Sequence, residues 1–189
     1  MDGDLTARKR AMRAEARRVL TAMSAQEVCV SSAEIARAVL GWPPFCRARS
    51  IFCYVSVGKE PDTYPIIEAA LTAGKAVYVP RCGPRPEMDA VRIRSPKALA
   101  PGTMGIPEPT GGEVALAVDL AIVPCLRLTP AGERLGHGGG YYDAYLAAHP
   151  SPTLCLCHPA LLCEALPTGA LDVRMGALVM EGRVRLCKG

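Results

Sequence analysis

Residues 50–79 carry the clearest indication of the fold, and their sequence is SIFCYVSVGKEPDTYPIIEAALTAGKAVYV. Residues 50–56 are rich in β-branched and aromatic side chains, which is typical of a strand. A helical segment then starts at Thr63 and stops at Gly74, and residues 76–79 have the pattern of a second strand. Because two parallel strands need a crossover of this kind, the stretch predicts a strand–helix–strand unit.

The same alternation continues along the rest of the chain. Its pattern predicts strands near 89–93, at 120–123 and at 153–157, helices at 141–148 and from Pro159, and a terminal hairpin over 179–186 that turns at Glu181-Gly182. Strands that alternate with helices favour an α/β fold, here a three-layer sandwich around a mostly parallel sheet. No internal repeat or long linker interrupts residues 1–189, so we expect a single domain.

A basic amphipathic helix is predicted over residues 5–23. Lys9, Arg13 and Arg17 recur on one face, and an apolar stripe occupies another. Ser24 and Glu27 then form a capping box for a second helix. The basic segment accounts for much of the net charge of +4, which is compatible with nucleic acid, a membrane surface, a polyphosphate ligand or a solvated helix face.

Composition indicates a cytoplasmic protein. Half of the residues are hydrophobic, but no apolar run approaches the roughly 20 residues that span a membrane. Asp2, Asp4 and Glu15 argue against an organelle transit peptide. The nine cysteines are scattered without a CxxC pair, so we expect buried thiols in a reducing compartment rather than disulfides or a zinc site.

The run from Arg134 to Asp143, RLGHGGGYYD, is the strongest candidate for a binding site. It follows a predicted strand and leads into a predicted helix, which is where ligands bind in α/β sheets. Glycines let the backbone approach a ligand closely, and the N–H groups before a helix attract anions. Arg134 could hold phosphate, and Asp143 could hold hydrated Mg²⁺. The run is neither a Walker loop nor a dinucleotide fingerprint, so these properties indicate an anion-binding loop, with a plain flexible turn as the alternative.

The motif Arg-Leu-Gly-x-Gly-x-Gly-Tyr-Tyr-Asp resembles the signature of 5-formyltetrahydrofolate cyclo-ligases, also called methenyltetrahydrofolate synthetases. The resemblance extends over nearly the whole chain in order. Its other parts are the segments 9–13 (KRAMR), 55–60 (VSVGKE), 79–81 (VPR) and 105–109 (GIPEP).

The resemblance implies overlapping sets of site residues. ATP would contact Lys9, Arg10, Arg13, Arg134, Leu135, Gly136, His137, Gly138, Gly139, Gly140, Tyr141 and Tyr142. The folate would contact Val55, Glu60, His137, Gly138, Gly139, Gly140 and Tyr141. Arg134, Gly138, Gly139, Gly140 and Tyr141 would act on the reacting groups. Asp143 and Asp172 would bind Mg²⁺.

The resemblance also implies the reaction, in which 5-formyltetrahydrofolate, with or without a polyglutamate tail, is cyclised to 5,10-methenyltetrahydrofolate with release of ADP and phosphate. Phosphorylation of the formyl oxygen would make it a leaving group for attack by N10. Such a transfer needs placement and charge neutralisation more than covalent help from the protein. His137 is therefore interpreted as a polar loop contact and not as an acid–base catalyst.

Three positions depart from the family pattern. Ala160 lies in a segment where many members have glutamine, Gly176 stands where a second aspartate is common, and Met104 stands where some members have tryptophan. The alternative functions are a non-catalytic nucleotide- or folate-binding relative and an RNA-binding protein. Few aromatic residues accompany the basic helix, which disfavours RNA. We expect a monomeric enzyme with no nucleic-acid or membrane partner.

Overall fold

The structure is a computed structural model that describes residues 2–102 and 105–188. The helices are α1 (Asp2–Ala22), α2 (Ala25–Leu40), α3 (Pro43–Arg47), α4 (Tyr64–Thr72) and α5 (Tyr141–Ala148). The strands are β1 (Ser50–Cys53), β2 (Ala76–Cys82), β3 (Met88–Ile93), β4 (Leu99–Pro101), β5 (Pro107–Pro109), β6 (Leu120–Pro124), β7 (Arg127–Leu128), β8 (Arg134–Leu135), β9 (Thr153–Leu156), β10 (Ala177–Met180) and β11 (Arg183–Leu186). Met104 lies outside the described residues.

Seven strands form one sheet in the order β11-β10-β9-β6-β1-β2-β3. The five inner strands are parallel, and β3 and β11 pair antiparallel at the two edges. Every residue of β6 and β9 is buried, as expected for parallel strands whose two faces are covered. Arg183 and Arg185 are exposed on the edge strand β11, where charges oppose pairing with another chain. The predicted mostly parallel sheet is confirmed.

Side chains of the sheet alternate between two hydrophobic layers. In β1, Ile51 and Cys53 belong to one layer, whereas Phe52 belongs to the other, because successive side chains of a strand point to opposite faces. The first layer includes buried residues of α2 and α4, and the second includes buried residues of α1 and α5. The sheet is therefore the middle of three layers, as the α/β sandwich prediction required.

The helices and the terminal hairpin lie where the local signals in the sequence place them, with limits that differ by up to three residues. Ser24 and Glu27 form the predicted capping box at the start of α2, which ends at Leu40 with Gly41 as its C-cap. The terminal hairpin turns at Glu181 and Gly182, whose φ angles are 53° and 67°. A left-handed pair of this kind suits the two-residue turn of an antiparallel hairpin.

Two strands, β1 and β2, differ in length from their predictions by three residues each, and the other predicted strand limits differ by two residues or fewer. β1 ends at Cys53, before the predicted limit of residue 56, since Ser56 and Thr63 exchange hydrogen bonds of 3.0 and 3.1 Å that turn the chain. β2 continues through Pro80 to Cys82 because its antiparallel pairing with β3 extends that far. Proline is compatible with a strand only where its missing N–H is not needed.

All nine cysteines are free thiols. The expectation that they are buried holds for Cys53, Cys125, Cys155 and Cys157, whereas Cys29 and Cys46 are exposed. Among the described residues, no helix combines the length and the apolar character that a membrane crossing requires.

Candidate active site

A cavity of about 870 Å³ opens at the carboxyl ends of the central strands. Its lining includes Tyr54 and Val55, which follow β1, and Pro124, which ends β6. From β1 the chain passes to β2 on one side, whereas β6 lies on the other side. Ligands in α/β sheets bind at such a reversal of strand order. The volume is within the range of small-molecule sites.

The glycine loop, defined here as residues 136–140, forms one wall of this cavity between β8 and α5. Gly138 and Gly140 have φ angles of 101° and 79°, a region that other L-residues rarely adopt. A Cβ added to Gly139 would lie 2.6 Å from Cδ2 of Tyr141. The loop conformation therefore explains why glycine occupies these positions.

Arg134 and Asp143 form a largely buried ion pair beside the loop. Nη2 of Arg134 donates to Oδ1 of Asp143 at 2.7 Å, and the side chains are 2% and 25% exposed. Burial is the largest single influence and lowers the pKa of Arg134, but the Asp143 carboxylate, together with the nearby Cys155 and Cys125, raises that pKa, and the net result lies above its ordinary value. The guanidinium predicted to hold phosphate is thus directed at Asp143 in this structure.

Asp172 reaches the cavity from the segment before β10 and pairs with Lys9 of α1. Nζ of Lys9 lies 2.6 Å from Oδ1 of Asp172. The N–H of Gly169 donates to the other carboxylate oxygen at 2.6 Å. The contact therefore fixes the start of α1 to the C-terminal part of the chain.

The residues fit the predicted Mg²⁺ in the form of a hydrated ion. Asp143 and Asp172 both line the cavity, and the described residues direct no hydrogen bond to Oδ2 of Asp143, since Arg134 and Val173 both donate to Oδ1. No group of three or more His, Cys, Asp or Glu side chains forms a complete metal cage in the described residues. Mg²⁺ ordinarily uses one or two carboxylates, water and substrate phosphates. Oδ2 of Asp143 suits this role directly, whereas the Asp172 oxygens already contact Lys9 and the Gly169 N–H, so Asp172 suits only the water shell of the ion.

Glu60 and His137, both predicted to contact the folate, come together on another part of the lining. Oε1 of Glu60 lies 3.1 Å from Nε2 of His137. Oε2 of Glu60 accepts a hydrogen bond of 2.9 Å from the N–H of Val57. Val55 lines the same cavity. The structure therefore links the predicted folate side directly to the glycine loop.

Helix α1 places Lys9, Arg13 and Arg17 along the lining. Nε of Arg13 donates to the carbonyl of Gly136 at 2.9 Å. Burial, followed by the neighbouring Arg17 cation, lowers the pKa of Arg13, so an anion bound here would relieve repulsion. Arg10 is exposed and is not part of the lining.

Tyr141 and Tyr142 begin α5 and both line the cavity. The Tyr142 ring centroid lies 6.2 Å from that of Phe52 in β1. Cζ of Arg134 lies 5.9 Å from the same tyrosine centroid, a geometry that permits cation–π attraction. Leu135 is also in the lining, so every predicted site residue except Arg10 reaches the cavity.

Several residues that line the cavity were not predicted from the sequence. Arg17 had appeared only as a member of the basic face, and Arg85 lies in a loop without periodicity. The other missed lining residues include Tyr54, Pro80, Cys82, Pro86, Met88, Ile106, Glu108 and Leu171. Pro80, Ile106 and Glu108 belong to the segments 79–81 and 105–109 that resemble the family, but no site role was predicted for them. The other positions depend on how strands and loops pack around the cavity. Burial and the nearby Glu108 raise the pKa of the Cys82 thiol to about 11, so this cysteine is not an activated nucleophile.

The two described departures from the family pattern lie away from this cavity. Ala160 is exposed beside a separate shallow groove near the start of α2. The N–H of Gly176 donates to Oγ1 of Thr153 at 2.7 Å, and neither residue is in the lining.

Comparison with known proteins gives concordant matches. A sequence profile of the 5-formyltetrahydrofolate cyclo-ligase family matches residues 5–181. The mouse 5-formyltetrahydrofolate cyclo-ligase is 31% identical over 189 residues, covering 92% of this chain and 93% of the mouse protein. The enzyme of the same name from Escherichia coli K12 is 27% identical, with 89% and 96% of the two chains covered.

Solved structures show the same fold. The NMR structure of Aquifex aeolicus 5,10-methenyltetrahydrofolate synthetase superimposes with a TM-score of 0.85 at 27% identity, over 96% of this chain and 93% of that one. A 5,10-methenyltetrahydrofolate synthetase from Mycoplasma pneumoniae matches with a TM-score of 0.69 at 18% identity, over 90% and 96% of the chains.

Proposed function

The chain belongs to the 5-formyltetrahydrofolate cyclo-ligase family, and we propose that it uses ATP to cyclise 5-formyltetrahydrofolate to 5,10-methenyltetrahydrofolate. The observation that supports this most is that the residues predicted to contact ATP and those predicted to contact the folate line one cavity. Lys9 and Arg13 line it with the glycine loop, and Val55 and Glu60 line it from the end of β1. The Glu60–His137 contact joins the two sets.

The proposed reaction removes a poor leaving group. The formyl oxygen forms a bond to the γ-phosphorus of ATP while the bond from that phosphorus to ADP breaks. N10 then bonds to the formyl carbon and loses its proton, and the carbon–oxygen bond breaks with release of phosphate. Phosphoryl transfer of this kind depends on in-line placement and on neutralisation of phosphate charge.

Charge neutralisation is assigned to the basic face of α1 and to the glycine loop. Lys9 and Arg13 would hold phosphate oxygens, because an anionic phosphate is a stronger hydrogen-bond acceptor than a neutral carbonyl. The N–H groups of Gly138, Gly139 and Gly140 would add fixed donors that need no reorganisation during the transfer. Arg134 and Tyr141 complete this wall beside the formyl group.

Orientation of the folate is assigned to Val55 and Glu60. The carboxylate of Glu60 is held by the Val57 N–H, which fixes its direction before a ligand arrives. His137 would contact the ligands as a polar group of the loop. Mg²⁺ would be held by Asp143 and Asp172, and it would supply positive charge to the phosphates.

A non-catalytic relative that only binds nucleotide or folate is the alternative. Its support was the altered sequence after the glycine loop, but Ala160 and Gly176 are outside the cavity lining. We further propose a monomer located in the cytoplasm, a compartment consistent with nine unpaired thiols.

The proposal is tested by incubating the purified protein with 5-formyltetrahydrofolate and Mg²⁺-ATP and following the absorbance of methenyltetrahydrofolate. We expect a signal that requires ATP and Mg²⁺. Tight binding of either substrate without an ATP-dependent signal would establish the non-catalytic alternative.

A further inference from the structure

Arg85 contacts the glycine loop from a distant connecting segment, and no sequence motif links the two. It lies between β2 and β3. Nε of Arg85 donates to the carbonyl of Gly139 at 2.7 Å, and Nη2 donates to the carbonyl of Gly138. One guanidinium thus holds two successive carbonyl groups, which matches its rigid fork of donors.

Holding these carbonyls also fixes the direction of two amides. A trans peptide is planar, with its N–H antiparallel to its C=O. The carbonyls of Gly138 and Gly139 share their peptide planes with the N–H groups of Gly139 and Gly140. With both oxygens held toward Arg85, these two N–H groups must point away from the guanidinium.

The two N–H groups are available to a ligand. Within residues 2–102 and 105–188, neither the N–H of Gly139 nor that of Gly140 donates a hydrogen bond to the protein. Both glycines line the cavity. Successive backbone N–H groups without acceptors form a concave anion site.

We propose that Arg85 is a positioning residue for the cyclisation reaction: it holds the carbonyls of Gly138 and Gly139 so that the N–H groups of Gly139 and Gly140 are presented to a phosphate. The inference rests on the proposed function for its ligand but not for its geometry. Arg13 of α1 donates to the single carbonyl of Gly136 in this structure, so the loop is contacted from two sides, but only Arg85 spans two successive carbonyls. Arg85 acts through the loop. If Arg85 bound the phosphate directly, its guanidinium would have to turn away from these carbonyls.

The first test uses the ligand-free protein and does not depend on activity. Arg85→Ala and Arg85→Lys are compared with the wild type by ¹⁵N–¹H correlation spectra with assigned glycine amides. We expect Arg85→Ala to shift the Gly139 and Gly140 amide signals and to broaden them. Arg81→Ala is the matched control, because Arg81 lies on the same hairpin, pairs with Asp89 at 2.8 Å and is outside the lining.

The second test is kinetic. A misplaced loop should lower kcat for cyclisation about 10- to 100-fold, with a smaller change in KM for ATP. Arg85→Lys should recover part of kcat because lysine can donate to one carbonyl, and Arg81→Ala should retain wild-type kcat. Unchanged Gly139 and Gly140 signals in Arg85→Ala would overturn the proposal, as would a rise in KM for ATP with kcat unchanged. A wild-type protein without activity would contradict the proposed function but leave the spectroscopic test intact.

Discussion

The ion pair of Arg134 and Asp143 shows how a single residue can serve both stability and function. Arg134 is almost fully enclosed, and its Nε has no hydrogen-bond partner in the described residues. A buried cation is tolerated only when a counter-charge and hydrogen bonds compensate for lost hydration. Asp143 is that counter-charge, and it is also a proposed ligand of Mg²⁺.

Replacement of Asp143 should therefore have two separable effects. We expect Asp143→Ala to lower the free energy of unfolding by about 3–5 kcal/mol, because it leaves the Arg134 charge unpaired. Asp143→Asn keeps an acceptor for Arg134, so it should be destabilised less. Urea denaturation of both variants measures the difference.

The catalytic effect should be common to both variants. Asp143→Asn and Asp143→Ala should each have a greatly lowered kcat, and raised Mg²⁺ should recover part of it. Wild-type kcat in Asp143→Asn, at ordinary Mg²⁺, would remove Asp143 from the metal site.

His158 is a second buried group whose ionisation affects the fold. Its Nε2 donates to the carbonyl of Lys59 at 3.0 Å, so its Nδ1 accepts from the Ser31 hydroxyl at 2.8 Å. Burial, partly opposed by the Lys59 carbonyl, lowers the pKa of His158 from 6.5. The folded protein thus holds the neutral imidazole.

This lowered pKa predicts a pH-dependent stability. The stabilisation is complete above the unfolded pKa of about 6.5 and is lost as the pH falls toward the folded value, because only the unfolded chain takes up the proton. Urea midpoints from about pH 7.5 to about pH 5 should fall less steeply for His158→Gln than for the wild type. Equal slopes for wild type and His158→Gln would refute the assignment.

At the scale of elements, the glycine loop and α5 were the most predictable part of the molecule. The helix occupies Tyr141–Ala148, as predicted. Its start was predictable because the glycine-rich segment is followed directly by residues that favour a helix. Strand ends were less predictable. The limits of β1 and β2 depend on the Ser56–Thr63 contacts and on pairing with β3, which are tertiary features that local propensity does not contain.

A comparison of two glycines can separate backbone strain from function. Gly140 and Gly74 have nearly the same φ angles, 79° and 75°, and a Cβ would meet no atom closer than 3.8 Å at Gly140 and none within 4 Å at Gly74. Substitution by alanine should lower the free energy of unfolding by about 1–2 kcal/mol at either position. Thermal or urea unfolding checks this equality.

Of the two glycines, Gly140 lines the cavity and Gly74 does not. We therefore expect Gly140→Ala to lower kcat/KM for cyclisation and Gly74→Ala to leave it unchanged. Equal activity of the two variants would show that the loop conformation is not required for the reaction.

At the scale of the whole molecule, the order of strands brings distant segments to one site. β1 and β6 are neighbours although about 70 residues separate Ile51 from its partner Leu120. This pairing places the loop after β1 beside the loop that follows β8. The alternation of strands and helices predicted the fold class, but only the strand order explains how Glu60 meets His137.

Some contacts could not be predicted from the sequence because they depend only on how distant segments pack together. Arg85 belongs to no periodic pattern, and its contact with the glycine loop arises from the β2–β3 connection folding over the cavity edge. The Arg134–Asp143 pair was equally hidden, because the motif assigned each residue to a ligand and not to the other. Motifs therefore predicted many of the residues that line the cavity, and packing determines the contacts that these residues make in this structure.

Nucleotide and formylfolate are proposed to react with each other in one cavity. The most direct measurement follows ADP and methenyltetrahydrofolate together in one reaction of the purified wild-type protein. We expect one ADP for each methenyltetrahydrofolate, and neither product when either substrate is withheld. ADP release without 5-formyltetrahydrofolate, or cyclisation without ATP, would contradict this proposal.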